Sequence, residues 1–183
     1  MNKRALVFII TSGVMGGLTL PTANADSVDF NATILVTKGT CTFSAAKLTF
    51  DFGNVTPQMV SQGTVFRENP FTVSNCVGTS ALDIKLSSTK TINIASGDYI
   101  GKWVVPTSNS VSGVAFKTEF AVGGNGYKTF PADNTTTINI TSAGSSTPVN
   151  LKMKATLVPT VANFNSMVAG DLAGTATINV SYP

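Results

Sequence analysis

The chain has 183 residues, 43% of them hydrophobic and 11% charged, which is ample for a packed core and excludes a disordered chain. It contains no histidine, and that removes the commonest general base, the Ser-His and Cys-His nucleophile arrangements and the usual zinc ligand together. The formal net charge of +3 hints at an acidic partner only until the first residues are read.

Residues 1–25 read as a secretory signal peptide. Lys3 and Arg4 supply a positive start, and an apolar stretch loosened by Gly13, Gly16 and Gly17 follows. Pro21 breaks it, and Ala23-Asn24-Ala25 offers the small residues that a signal peptidase needs. The stretch is short for a bilayer core of roughly 30 Å, so a cleaved leader is preferred over an anchor. Cleavage removes two of the twelve basic residues and leaves ten against nine acidic ones. Arg67 is then the one arginine, and the lysines are scattered singly. A nucleic-acid groove or a polybasic membrane patch needs clustered cations, so neither is expected.

The mature chain opens on an arm with period-two alternation. Val28, Phe30, Ala32, Ile34 and Val36 alternate with Asp29, Asn31, Thr33 and Leu35, and Lys38-Gly39 separates the arm from Cys41. Cys41 and Cys76 are the only cysteines and both lie in the exported part, which predicts one disulfide. On the loop-entropy model it stabilises the fold by roughly 3–4 kcal/mol.

Leu48, Phe50 and Phe52 alternate with Thr49 and Asp51 before Gly53 and Pro57 close the strand. Phe71 and Val73 lead a short strand into Cys76, and Leu82, Ile84 and Leu86 alternate with Asp83 and Lys85. Val114, Phe116 and Phe120 precede a hairpin turn at Gly123-Gly124-Asn125-Gly126. Ile138 and Ile140 sit among threonines, and Val149, Leu151, Met153, Ala155 and Leu157 alternate with polar residues. The chain closes on Leu172, Gly174, Ala176, Ile178, Val180 and Tyr182, alternating with Ala173, Thr175, Thr177, Asn179 and Ser181.

Helical spacing is hard to find. Many short one-sided strands separated by turns predict an all-β antiparallel sandwich or barrel. Periodicity alone favours pairing of the first and last strands within one molecule, as in a self-complete secreted binding module.

Other signals point nowhere. The glycine run lacks the Lys-Ser/Thr pair and the helix of a phosphate loop. Glu68, Glu119, Asp51, Asp83, Asp98, Asp133 and Asp171 are isolated, whereas glycoside hydrolysis needs two facing carboxylates. The sequons at Asn31, Asn134 and Asn139 are three-residue matches that carry no weight by themselves. Trp103 with Tyr99 and Tyr127 could stack on a sugar, but such aromatics in a sandwich are more often core or rim.

Taken in order, these features resemble the subunits of chaperone–usher fimbriae, the pilins of Gram-negative bacteria. The likeness spans the mature chain: a leader, an alternating arm before the first cysteine, and a Cys41–Cys76 separation of 35 residues. It also includes Leu48-Thr49-Phe50-Asp51-Phe52-Gly53, Gly170 fourteenth from the end, and the penultimate Tyr182. Three departures stand out. The family usually has glycine where the arm has Ala32, the last residue is Pro183, and small Gly174 and Ala176 occupy positions where bulkier residues are common.

The resemblance implies an incomplete immunoglobulin-like β-sandwich, the pilin fold, completed by a donor strand. It divides the chain into a signal peptide (1–25), a donor-strand arm (26–38) and a pilin domain (39–183). The donor residues would be Val28, Phe30, Ala32, Ile34 and Val36. Gly170, Leu172, Gly174, Ala176, Ile178, Val180 and Tyr182 would form the acceptor groove and the strand recognised by chaperone and usher. Leu48, Phe50 and Phe52 would line the opposite side. The implied function is a structural subunit of a surface fimbria, without catalysis, cofactor or metal. Its partners would be a periplasmic chaperone, an outer-membrane usher, neighbouring subunits and, where adhesion is involved, a host receptor. The alternative on the same fold is a single-domain adhesin whose loops bind a host glycan or protein.

Overall fold

The computed structural model describes residues 27–36, 41–79, 81–93, 103–108, 113–141 and 147–182. The leader, Asp26, Lys38, Gly39, Asp98, Tyr99, Pro183 and the side chain of Trp103 therefore lie outside the described residues.

The strands follow the alternation. In chain order they are β1 (Val28–Val36), β2 (Thr42–Phe43), β3 (Lys47–Asp51), β4 (Phe66–Ser74), β5 (Ala81–Ser87), β6 (Ile92–Asn93) and β7 (Trp103–Pro106). Then come β8 (Val114–Val122), β9 (Lys128–Thr129), β10 (Ile138–Thr141), β11 (Val149–Pro159) and β12 (Leu172–Ser181). They form two sheets. The first runs β10-β5-β12-β1-β3, and the second runs β2-β4-β11-β8-β7-β6 with β9 paired to β8. Antiparallel pairing prevails, and β1 with β12 is the parallel exception.

The apolar faces meet between the sheets. Phe30 and Phe50 of the first sheet and Phe116 and Phe120 of the second are fully buried there, with Leu82, Ile84, Leu86, Leu151, Met153 and Leu157. Each strand thus presents one face to the core and one to solvent. The disulfide joins Cys41, just before β2, to Cys76, just after β4.

Two local features depart from the alternation. Pro57, expected only to close a strand, instead opens a short helix, α1 (Pro57–Ser61). Its fixed φ and missing N–H suit the first turn, and the Thr56 hydroxyl caps it by accepting from the Met59 N–H at 3.3 Å. The strand expected from Phe71 begins earlier, at Phe66. Arg67, Glu68, Asn69 and Pro70 show no one-sided pattern, yet β11 pairs with all four. The hairpin turn lies where it is expected, linking β8 to β9.

Candidate functional site

The middle of the first sheet holds the candidate site. If β1 is set aside, β12 and β3 form the two walls of a long slot, and β8 of the second sheet lies beneath it. Even-numbered residues of β12 face inward: Leu172, Gly174, Ala176, Ile178 and Val180 are buried, while Ala173 and Thr175 are exposed. On the other wall Leu48 and Phe50 of β3 point inward, and buried Phe52 follows at the strand's end. Phe52 stands over the floor, its ring centroid 5.8 Å from that of Phe116.

In this single chain the slot is filled by the chain's own arm. β1 runs parallel to β12 over its full length, with Val28 beside Leu172, Phe30 beside Gly174, Ala32 beside Ala176, Ile34 beside Ile178 and Val36 beside Val180. It runs antiparallel to β3, with Phe30 beside Phe50 and Ala32 beside Leu48. In both registers even residues meet even residues, so the apolar faces of all three strands turn to the core together. The arm therefore satisfies the backbone groups of both walls, which would otherwise be bare sheet edges. At the entrance the Leu172 N–H donates to the Ser27 carbonyl at 2.9 Å, and the Phe52 N–H donates to the Val28 carbonyl at 2.9 Å.

Phe30 is the arm's largest inserted side chain and has no exposed surface. Its ring centroid lies 5.0 Å from that of Phe116 and 5.4 Å from that of Phe50. Room for this cluster comes from Gly174. A Cβ added there would fall 2.5 Å from Phe116 Cε2 and 3.3 Å from Phe30 Cδ2. Of the two small residues that depart from the usual terminal strand, Gly174 thus sits where the arm and the floor are bulky, while Ala176 stands beside Ala32. Sequence reading did not assign Phe116 to the site, since its alternation marks a strand but not which groove lies above it.

The far end of the slot meets the disulfide. The arm's last strand residue, Val36, lies beside Val180, and Tyr182 follows β12 with its hydroxyl donating to Cys41 Sγ at 3.2 Å. Gly170 lies outside β12, in the bend two residues before it, where its φ of +139° favours glycine.

The remaining candidates do not converge. Glu119 on β8 lies between Lys117 and Lys154 at 3.0 and 2.7 Å. Burial pushes its carboxyl up, but hydrogen bonds and charge from the two lysines outweigh this and hold it below the usual range. Lys154 Nζ also sits 4.3 Å from the centroid of the Tyr127 ring, so that ring face is covered. Burial and then the neighbouring Glu68 push the Tyr127 hydroxyl up to about 12. Asp133 caps the turn before β10, accepting from the Thr135 and Thr136 N–H groups at 2.8 and 3.0 Å. Burial raises it, but these bonds prevail and its carboxyl is held low. Among the described residues no three His, Cys, Asp or Glu side chains gather as a metal site.

Comparison with known proteins places this arrangement. No curated protein matches the sequence. Among solved structures, the fold is similar to the crystal structure of the P pilus rod subunit PapA, with a TM-score of 0.54 and 16% identity. That match covers 78% of this chain and 99% of the other. It supports the two-sheet, one-disulfide pilin architecture. The sequence model of the family described as Fimbrial protein matches residues 28–183, from the first residue of the arm to the end of the chain. With alternating arm, slot, disulfide and terminal strand all inside that match, the chain belongs to the fimbrial protein family and is a structural subunit of a surface pilus.

Proposed function

We propose that this subunit joins its filament by donor-strand exchange. Exported through the periplasm, it is held there by a chaperone strand and delivered to an outer-membrane usher. At the usher the arm of the next subunit takes the place between β12 and β3. Strand addition of this kind is a known mode of pilin recognition. The observation that carries the reading is the fit of arm to slot. Val28, Phe30 and Ala32 are buried to within 1% exposure between walls that pair with them on both sides. A strand that fits its own chain's slot this closely fits the identical slot of a second copy.

The arm's place in its own slot is the closed alternative to that exchange. The same side chains and backbone groups are satisfied in either arrangement, so moving from one to the other exchanges like contacts. The family comparison supports a structural pilus subunit over a single-domain adhesin.

The test is deletion of residues 26–36 in cells that supply the cognate chaperone and usher. The shortened subunit retains a slot but has no arm to give. It is expected to bind chaperone and to accept the arm of a full-length copy, while passing none on, so that filament yield and length collapse when it is mixed with wild type. Filaments of normal length containing the shortened subunit throughout would overturn the reading.

A further inference from the structure

The turn that follows β8 holds a modification site. We infer that Asn125 is converted in the folded chain to isoaspartate and aspartate, without an enzyme, by attack of the Gly126 nitrogen on its side chain. The site is independent of the strand-exchange reading.

The chemistry needs three things in one place: a backbone nitrogen free to attack, a side-chain amide free to turn onto it, and no side chain shielding the approach. The run Gly123-Gly124-Asn125-Gly126 supplies all three. All four residues are exposed, and Asn125 and Gly126 lie between the bend at Gly123-Gly124 and β9. The Asn125 N–H donates to the Val122 carbonyl at 3.2 Å, which fixes the residue on one side only. Among the described residues no hydrogen bond holds the Asn125 side chain or the Gly126 N–H. Apart from its chain neighbours, no atom lies within 4 Å of the place a Cβ would occupy on Gly126. Glycine also leaves the backbone free to reach the cyclic geometry.

Other asparagines lack this combination. Asn134 and Asn165 are also followed by short side chains, yet the Thr135 N–H is bound to the Asp133 carboxylate at 2.8 Å and the Ser166 N–H to the Asn163 carbonyl at 3.0 Å. Cys76, after Asn75, is buried and held by the disulfide. Asn31, Asn139, Asn150 and Asn179 lie inside strands, whose ladders fix the backbone.

The step balances. The Gly126 nitrogen gives its proton to solvent base and bonds to Asn125 Cγ, the bond from Cγ to the amide nitrogen breaks, and ammonia leaves. Water then opens the cyclic imide. Cleavage at Cγ gives aspartate, whereas cleavage at the backbone carbonyl carries the chain through Cγ and gives isoaspartate. Either way a neutral amide becomes a carboxylate, on the rim of a hollow that Asn125 and Lys128 share with Thr137 and Thr141.

The test follows the full chain during incubation at pH 7 and pH 9, with tryptic peptides weighed and isoaspartate labelled by isoaspartyl methyltransferase. Asn125 falls in the peptide Thr118–Lys128. In the folded chain this segment is expected to change at a rate within ~10-fold of the same peptide free in solution, because the fold leaves it uncovered. Change at pH 9 is expected to be at least ~10-fold faster than at pH 7, since the ionised share of the N–H rises with pH. Gly126 has no positive φ and open space around it, so Gly126→Val keeps the fold while shielding the nitrogen. That variant is expected to slow the change at least ~10-fold, and Asn125→Gln to remove it. A folded chain more than ~10-fold slower than the free peptide, earlier change at Asn134 or Asn165, or an unslowed Gly126→Val chain would each overturn the inference.

Discussion

The two halves of the arm are held very differently. From Val28 to Ala32 it lies between two walls, its inward residues fully buried, with β3 on one side and β12 on the other. From Ile34 to Val36 the β3 ladder has ended, and one bond, from the Ile34 N–H to the Ala46 carbonyl at 3.0 Å, continues that side. Ile34 and Val36 are only partly buried, and Leu35 is 49% exposed. The arm is thus gripped deepest towards Val28 and most loosely towards Val36. On the exchange reading proposed above, a strand held this way would open first beside Val36, where the β3 side of the ladder has already ended.

The sharpest attempt to break this contrast is a pair of truncations. Phe30→Ala should cost about 3–5 kcal/mol of unfolding free energy, whereas Ile34→Ala, at a half-buried site, should cost about 1–2 kcal/mol. Denaturant unfolding of the two variants measures both, and equal losses would erase the distinction between the halves.

Removal of the disulfide comes next. Replacing Cys41 and Cys76 by serine together should cost about 3–4 kcal/mol, given the 35-residue separation. Because Cys41 lies close to the loose half, hydrogen exchange in Ile34–Val36 should rise more than exchange in Val28–Ala32. Uniform loss across the arm would show that the halves act as one unit.

Acid provides the smallest effect and a control. Glu119 and Asp133 have folded-state pKa values below their ordinary 4.5 and 3.8. The stability each contributes is therefore complete above those values and is lost as pH falls through the lower, folded one. Neither residue belongs to β1 or to the strands flanking it. Unfolding measured between pH 5 and pH 2 should weaken the whole sandwich without changing the protection ratio of the two arm halves. Glu119→Gln should flatten part of that acid slope.

Much of this was written in the alternation. Inward residues at both ends of the chain follow from parity alone, because one buried face demands period two. Partner and direction do not follow. The same Val28-to-Val36 pattern fits either wall, either direction, and either its own slot or a copy's. The ring cluster beside Gly174 was hidden for a related reason. Gly174 reads as a weak spot in a strand until Phe116, 58 positions earlier, is brought beneath it. The start of β4 was obscured by Arg67 to Pro70, whose side chains do not alternate because much of that stretch is held by pairing to β11 and not by burial.

The contact between Tyr182 and Cys41 bears on how such a subunit withstands pulling. Under the exchange proposed above, tension along the fibre would enter each subunit through the chain between the arm and Cys41. The bridge to Cys76 passes it at once to β4, which is laced to β11 through eight residue pairs. Those pairs, with Tyr182 resting on the sulfur, would then share the load, and the junction between subunits, not the body of each, would be the part that gives.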